Sequence, residues 1–88
     1  MARNKKLLFE KNKTIERTVG PYLLVSIPYG DVVLLKEELY QIWNFLPPDR
    51  FTIDKLFDCM KQNGIDTDKN PAKFVLEKFL QMGMINKK

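Results

Sequence analysis

VVLLKEELYQIWNFL, residues 32 to 46, changes character halfway along its length. Val32, Val33, Leu34 and Leu35 form a wholly apolar, half β-branched run, the composition of a buried strand. Leu39, Ile42, Trp43 and Leu46 then recur at i, i+3, i+4 and i+7, the apolar stripe of an amphipathic helix. Pro47-Pro48 ends that helix, because proline has no N–H to donate and restricts the residue before it. Segments upstream have a strand to pair with, and segments downstream have a helix to pack on.

Upstream, Lys13–Val19 alternates weakly, with Ile15, Arg17 and Val19 on one side and Thr14, Glu16 and Thr18 on the other. It reads as an edge strand. Gly20-Pro21 is a turn, Tyr22–Ile27 a more apolar strand, and Pro28-Tyr29-Gly30-Asp31 a tight turn with glycine at a position that can take positive φ. With Val32–Leu35 these segments make a three-stranded antiparallel meander.

Downstream, the first helix spans about Lys36 to Leu46, and Lys36 cannot cap it. Thr52 is an N-cap for a second helix, with Asp54 in its first turn and a stripe of Ile53, Leu56, Phe57 and Met60 that ends at Asn63-Gly64. Asn70-Pro71 opens a third helix as N-cap and first helical residue. Its stripe is Ala72, Val75, Leu76, Phe79 and Leu80. Gly83 closes it, and Met84-Ile85 folds back as an apolar latch. The sequence thus predicts an α+β fold, an N-terminal three-stranded antiparallel sheet followed by three helices, winged-helix-like but with the sheet first. Only five residues follow Gly83, too few for a C-terminal wing.

Eighty-eight residues make one domain, expected to comprise a flexible basic arm over residues 1–12 and a folded unit over residues 13–88, with Leu7-Leu8-Phe9 able to dock. So short a chain buries only about 60% of its unfolded surface. The six Phe, three Tyr and one Trp give it material for a dense core. The net charge of +4 is local. Residues 1–20 hold six Lys/Arg against two acids, and residues 21–88 hold nine against nine. A basic arm suits phosphate or an acidic peptide, or merely solvates the chain. A single cysteine, Cys59, excludes an internal disulfide. With no signal peptide and no apolar run near the ~18 residues of a membrane span, a cytoplasmic location and no membrane contact are expected.

Catalytic chemistry is not expected. The chain has no histidine, one serine (Ser26) and one cysteine, and no GxGxxG or Walker pattern. Glu37-Glu38 suits a helix N-terminus, Asp66 and Asp68 a polar loop, and Cys59 a small apolar packing role. No metal and no cofactor are implied.

Binding remains, and two features serve it. Val32–Leu35 is an uncharged edge strand that either lies under a helix or awaits a partner. Phe74 falls opposite the core stripe of the third helix, close to Gln81 and Lys78. It either packs on the second helix or the arm, or lines a groove between the third helix and the Val32–Leu35 strand.

In these segments the chain resembles the PqqD-like family, the precursor-peptide recognition elements of ribosomal peptide natural-product pathways. The similarity covers roughly residues 20–86 and rests on VVLLKEELYQIWNFL, FTIDKLFDCM and NPAKFVLEKFLQMGMI in that order and spacing. The resemblance implies a non-catalytic peptide chaperone. A leader peptide would add as a strand beside Val32, Val33, Leu34 and Leu35, with its side chains against Lys73, Phe74, Glu77, Lys78 and Gln81. The chaperone would present it to a modifying enzyme, such as a radical S-adenosylmethionine enzyme or a lasso-type leader peptidase. The alternative is a winged-helix-like DNA-binding protein, with the third helix as reader. The neutral body and missing wing argue against it, so nucleic acid is not the expected partner. A homodimer through the same edge is a further option.

Overall fold

The computed structural model describes residues 7–28 and 30–87. The chain is α+β: β1 (Phe9–Lys11), β2 (Ile15–Val19), β3 (Tyr22–Ser26), β4 (Val32–Leu35), α1 (Glu37–Phe45), α2 (Ile53–Gln62), α3 (Ala72–Gln81) and β5 (Ile85–Lys87). The expected meander is present as an antiparallel sheet in the order β2-β3-β4. A second, two-stranded antiparallel sheet joins β1 to β5 and was not anticipated.

That second sheet corrects the arm reading for residues 9–12. Phe9 is buried. Its N–H donates to the Phe51 carbonyl at 2.8 Å and its own carbonyl accepts from Phe51 N–H at 2.9 Å. The two rings lie 6.1 Å apart. Asn12 N–H donates to the Met84 carbonyl at 2.9 Å, and its side chain bonds the Gly83 carbonyl and Asn86. Burial of one aromatic and a closed set of backbone bonds outweigh the polarity of the segment. Arg3, Lys5 and Lys6 lie outside the described residues.

The helices end where their sequences say. Thr52 Oγ1 accepts from Lys55 N–H at 3.2 Å, the capping bond expected of it. Gly64 and Gly83 sit at φ +75° and +79°. Ile65 and Met84, the residues after them, donate back to Met60 and Phe79, both at 2.9 Å. These are paired Schellman closures, each sealed by two buried side chains (Ile65 with Met60, Met84 with Phe79). The expected latch is therefore a cap as well as the start of β5.

Two local expectations need correction. Pro71, not Asn70, is the N-cap of α3, and the Asn70 side chain bonds the Asp66 carbonyl instead. Gly30 does not take the positive φ that its turn position allows. Its α-carbon sits where an added Cβ would come 3.3 Å from Ile27, so close approach explains the glycine better than its dihedral freedom. Tyr29, in the same turn, lies outside the described residues.

Leu23, Val25 and Leu35 from the sheet meet Ile42, Trp43 and Leu46 of α1, Leu56 and Met60 of α2, and Ala72, Val75, Leu76 and Phe79 of α3 in one core. Trp43 and Phe79 meet at its centre, ring centroids 5.4 Å apart and planes tilted by 59°. Trp43 is fully enclosed, yet its indole N–H reaches out to Glu16 Oε2 at 3.0 Å. Lys11 covers the same ring at 4.4 Å and donates to the Trp43 carbonyl at 2.9 Å. Desolvation over the indole lowers the Lys11 pKa, and the Glu16 carboxylate partly offsets this. Phe57 departs from the expected stripe of α2. It stays partly exposed under Lys61 instead of entering the core.

Candidate functional site

β4 is an edge strand, since it has only β3 as a neighbour. Which of its backbone groups are free follows from hydrogen-bond alternation. Ile27 N–H donates to the Asp31 carbonyl, so Ile27 and Asp31 are a bonded pair at the mouth of the hairpin. In the β3–β4 register the next pairs are Ser26–Val32, Val25–Val33, Leu24–Leu34 and Leu23–Leu35. Bonded and non-bonded pairs alternate in an antiparallel ladder. Val33 and Leu35 therefore bond inward to β3, while Val32 and Leu34 point N–H and C=O out of the sheet. The expectation that all four residues supply backbone pairing is halved: two face the open edge.

The side chains divide the same way. Leu35 is buried and Val33 packs against the core, whereas Val32 and Leu34 are exposed. Leu35 is thus a core residue with no side-chain contact to offer a ligand.

Two hollows lie along α3, and the second of them reaches the β4 edge. One is lined by Leu39 of α1 with Lys69, Pro71, Phe74, Val75, Glu77, Lys78 and Gln81. The other lies by the hairpin mouth and includes Val32, Val33, Asp31, Gln81 and Gly83. Gln81 borders both. Phe74 is 66% exposed, so of its two readings the one in which it packs on α2 or the arm does not hold. Its ring stands in the first hollow. Lys69 and Lys78 give that end a positive rim, with Glu77 the one acid among them, and Asp31 marks the opposite end.

Of the nine residues the sequence assigned, Val32, Val33, Phe74, Glu77, Lys78 and Gln81 line these hollows, and Leu34 contributes its backbone at the edge. Lys73 does not join them. It turns to a separate, more apolar depression with Leu7, Phe9, Ile53, Leu76 and Leu80. Glu77 borders both depressions. The reason is helical geometry: Lys73 stands ~100° from Phe74, which is enough to carry it over the crest of α3. Leu39 was missed because its i, i+3, i+4 spacing placed it in the core stripe of α1. It does pack against the core, but only in part, and the remainder lines the first hollow.

Among the described residues no group of three or more His, Cys, Asp or Glu is placed to hold a metal ion. Cys59 is a half-buried free thiol. No helix of the described residues is long and apolar enough to cross a membrane. No known protein family, curated protein or solved structure matches the chain.

Proposed function

We propose that the chain is a non-catalytic, cytoplasmic peptide chaperone that takes an extended peptide as a fourth strand beside β4. The observation that carries this reading is the open, uncharged edge, with the N–H and C=O of Val32 and Leu34 directed out of the sheet, and an exposed phenylalanine in a hollow that shares Gln81 with the one beside Val32. Edge pairing supplies affinity through main-chain bonds, and hollows for alternate side chains supply selectivity. Each net bond is worth about 0.5–1.5 kcal/mol.

A strand that continues the antiparallel sheet runs opposite to β4. Its N-terminal half then lies by Phe74, Lys69 and Lys78, and its C-terminal half by Gln81 and Asp31. An apolar side chain with an acid nearby suits the first half. The precursor peptide of a ribosomal natural-product pathway, as the resemblance to the PqqD-like family implies, is such a ligand. The modifying enzyme it serves, a radical S-adenosylmethionine enzyme or a leader peptidase, would gain from effective concentration, because a tethered substrate is locally abundant.

The test is a salt series of binding titrations with the precursor peptide encoded beside this gene and with a DNA duplex. Peptide binding that persists at ~0.3 M salt while duplex binding is lost supports the reading. Duplex binding with a steep salt slope and no peptide binding overturns it in favour of the helix-reading alternative.

A further inference from the structure

The outer face of the β2-β3-β4 sheet is the surface least like that of an ordinary soluble domain. An antiparallel sheet with one face on the core normally turns polar residues outward. Here the registers align Ile15, Ser26 and Val32 in one outward row, Arg17, Leu24 and Leu34 in the next, and Val19 with Tyr22 in a third. Six of these eight residues are apolar. Five of the eight large hydrophobics exposed among the described residues lie here: Ile15, Val19, Tyr22, Val32 and Leu34. No carboxylate interrupts the face. Its one charge, Arg17, sits on the edge strand, and β2 is exposed at every position. A contiguous apolar patch of this kind marks an interaction surface.

We propose that this face packs on the same face of a second copy of the chain, forming a two-layer β-sandwich dimer. The pattern is self-complementary about a two-fold axis that runs along β3. Such an axis lays β2 over the partner's β4, with Ile15 against the partner's Val32 and Leu24 against the partner's Leu24. Arg17 falls over the partner's Leu34 at the rim, where its stem covers the leucine and its guanidinium reaches water. The two Arg17 side chains stay roughly two strand spacings, ~10 Å, apart. No acid is buried, and the second layer covers the exposed strand β2.

The size of the face sets the strength. Three strands at ~4.8 Å and five residues at ~3.4 Å make a face of roughly 14 Å by 17 Å. Two such faces have roughly 500 Å² of flat area, and with the relief of their side chains and rims bury on the order of 1,000 Å² of accessible surface, at the lower limit for a specific interface. An interface of this size belongs with the weak, transient ones, so a monomer–dimer equilibrium is expected. The dimer leaves the β4 edge and the α3 hollows open, so it stands or falls independently of the peptide reading.

Sedimentation velocity of the whole chain from ~5 to ~500 μM tests it, with Ile15→Lys and Val32→Lys at opposite sides of the face. Both positions are well exposed, 77% and 60%, so both variants should fold, as circular dichroism verifies. If either fails, Val19→Lys or Leu34→Lys takes its place. The expected result is a concentration-dependent shift from monomer to dimer that each variant weakens at least about tenfold. A dimer that responds only to Val32→Lys pairs through the β4 edge, and one that responds only to Ile15→Lys pairs through β2. Either outcome overturns the sandwich. A chain that stays monomeric throughout also overturns it.

Discussion

Val33→Pro and Leu34→Pro differ by one position and should behave oppositely. Val33 N–H lies on the β3 side of β4, facing Val25, which is fully buried. Proline there deprives the Val25 carbonyl of its donor, at about 1–3 kcal/mol for a buried unsatisfied acceptor. Loss of the bond itself and of valine packing brings the total to roughly 2–4 kcal/mol, a large part of the ~5–15 kcal/mol that holds a domain together. Leu34 N–H leads out of the sheet, where proline is tolerated. Its side chain is 51% exposed, so the stability loss should stay below about 1 kcal/mol. A bound strand, however, loses a donor and leaves one of its own carbonyls unpaired. That costs on the order of 1–3 kcal/mol, or roughly 5- to 150-fold in affinity. Urea unfolding gives the first pair of numbers, and titration with the precursor peptide gives the second. If Leu34→Pro unfolds and Val33→Pro does not, the assignment of inward and outward groups is wrong. If both fold and bind the peptide like the parent, β4 is not the ligand edge.

Other consequences are simpler to read. Phe74→Ala should cost little stability, because its ring is 66% exposed, yet weaken the peptide by about 5- to 30-fold. Phe79→Ala, fully enclosed against Trp43, should lose about 3–5 kcal/mol in the same urea melts. Thr52→Ala removes the α2 cap and should lower stability by about 1 kcal/mol, with Thr52→Ser restoring most of it. For Lys11 the folded pKa lies below the ordinary 10.5, so in that window the unfolded chain binds more protons and stability rises with pH. Lys11→Met should flatten the rise that approaches 10.5 in alkaline unfolding curves, and an unchanged slope would remove Lys11 as its source.

The strands and helices of residues 15–81 were legible because each has its own period. Val32–Leu35 was assigned to the residue, and the stops at Pro47, Gly64 and Gly83 are chemical rules read at single positions. β1 and β5 were not legible. FEK and INK carry no alternation, and each becomes a strand only because the other lies beside it, with Phe9 opposite Lys87. The core stripes were right where a neighbour covered the whole stripe. They failed at Phe57 and in part at Leu39, where the helix outruns its cover.

The candidate site divides along the same line. An uncharged edge and an off-stripe phenylalanine are local properties, so composition and helical spacing exposed both. Hydrogen-bond parity is not local: that Val32 and Leu34, not Val33 and Leu35, face the open edge depends on where β3 pairs with β4. The company each residue keeps is likewise a matter of packing. Lys73 falls on the far side of α3, Leu39 joins Phe74, and Trp43 finds Glu16. Sequence by itself determined the strands and helices between residues 15 and 81, because periodicity and capping act over a few residues. The tertiary structure alone decided which faces are left uncovered, because burial is set by partners far away in the chain.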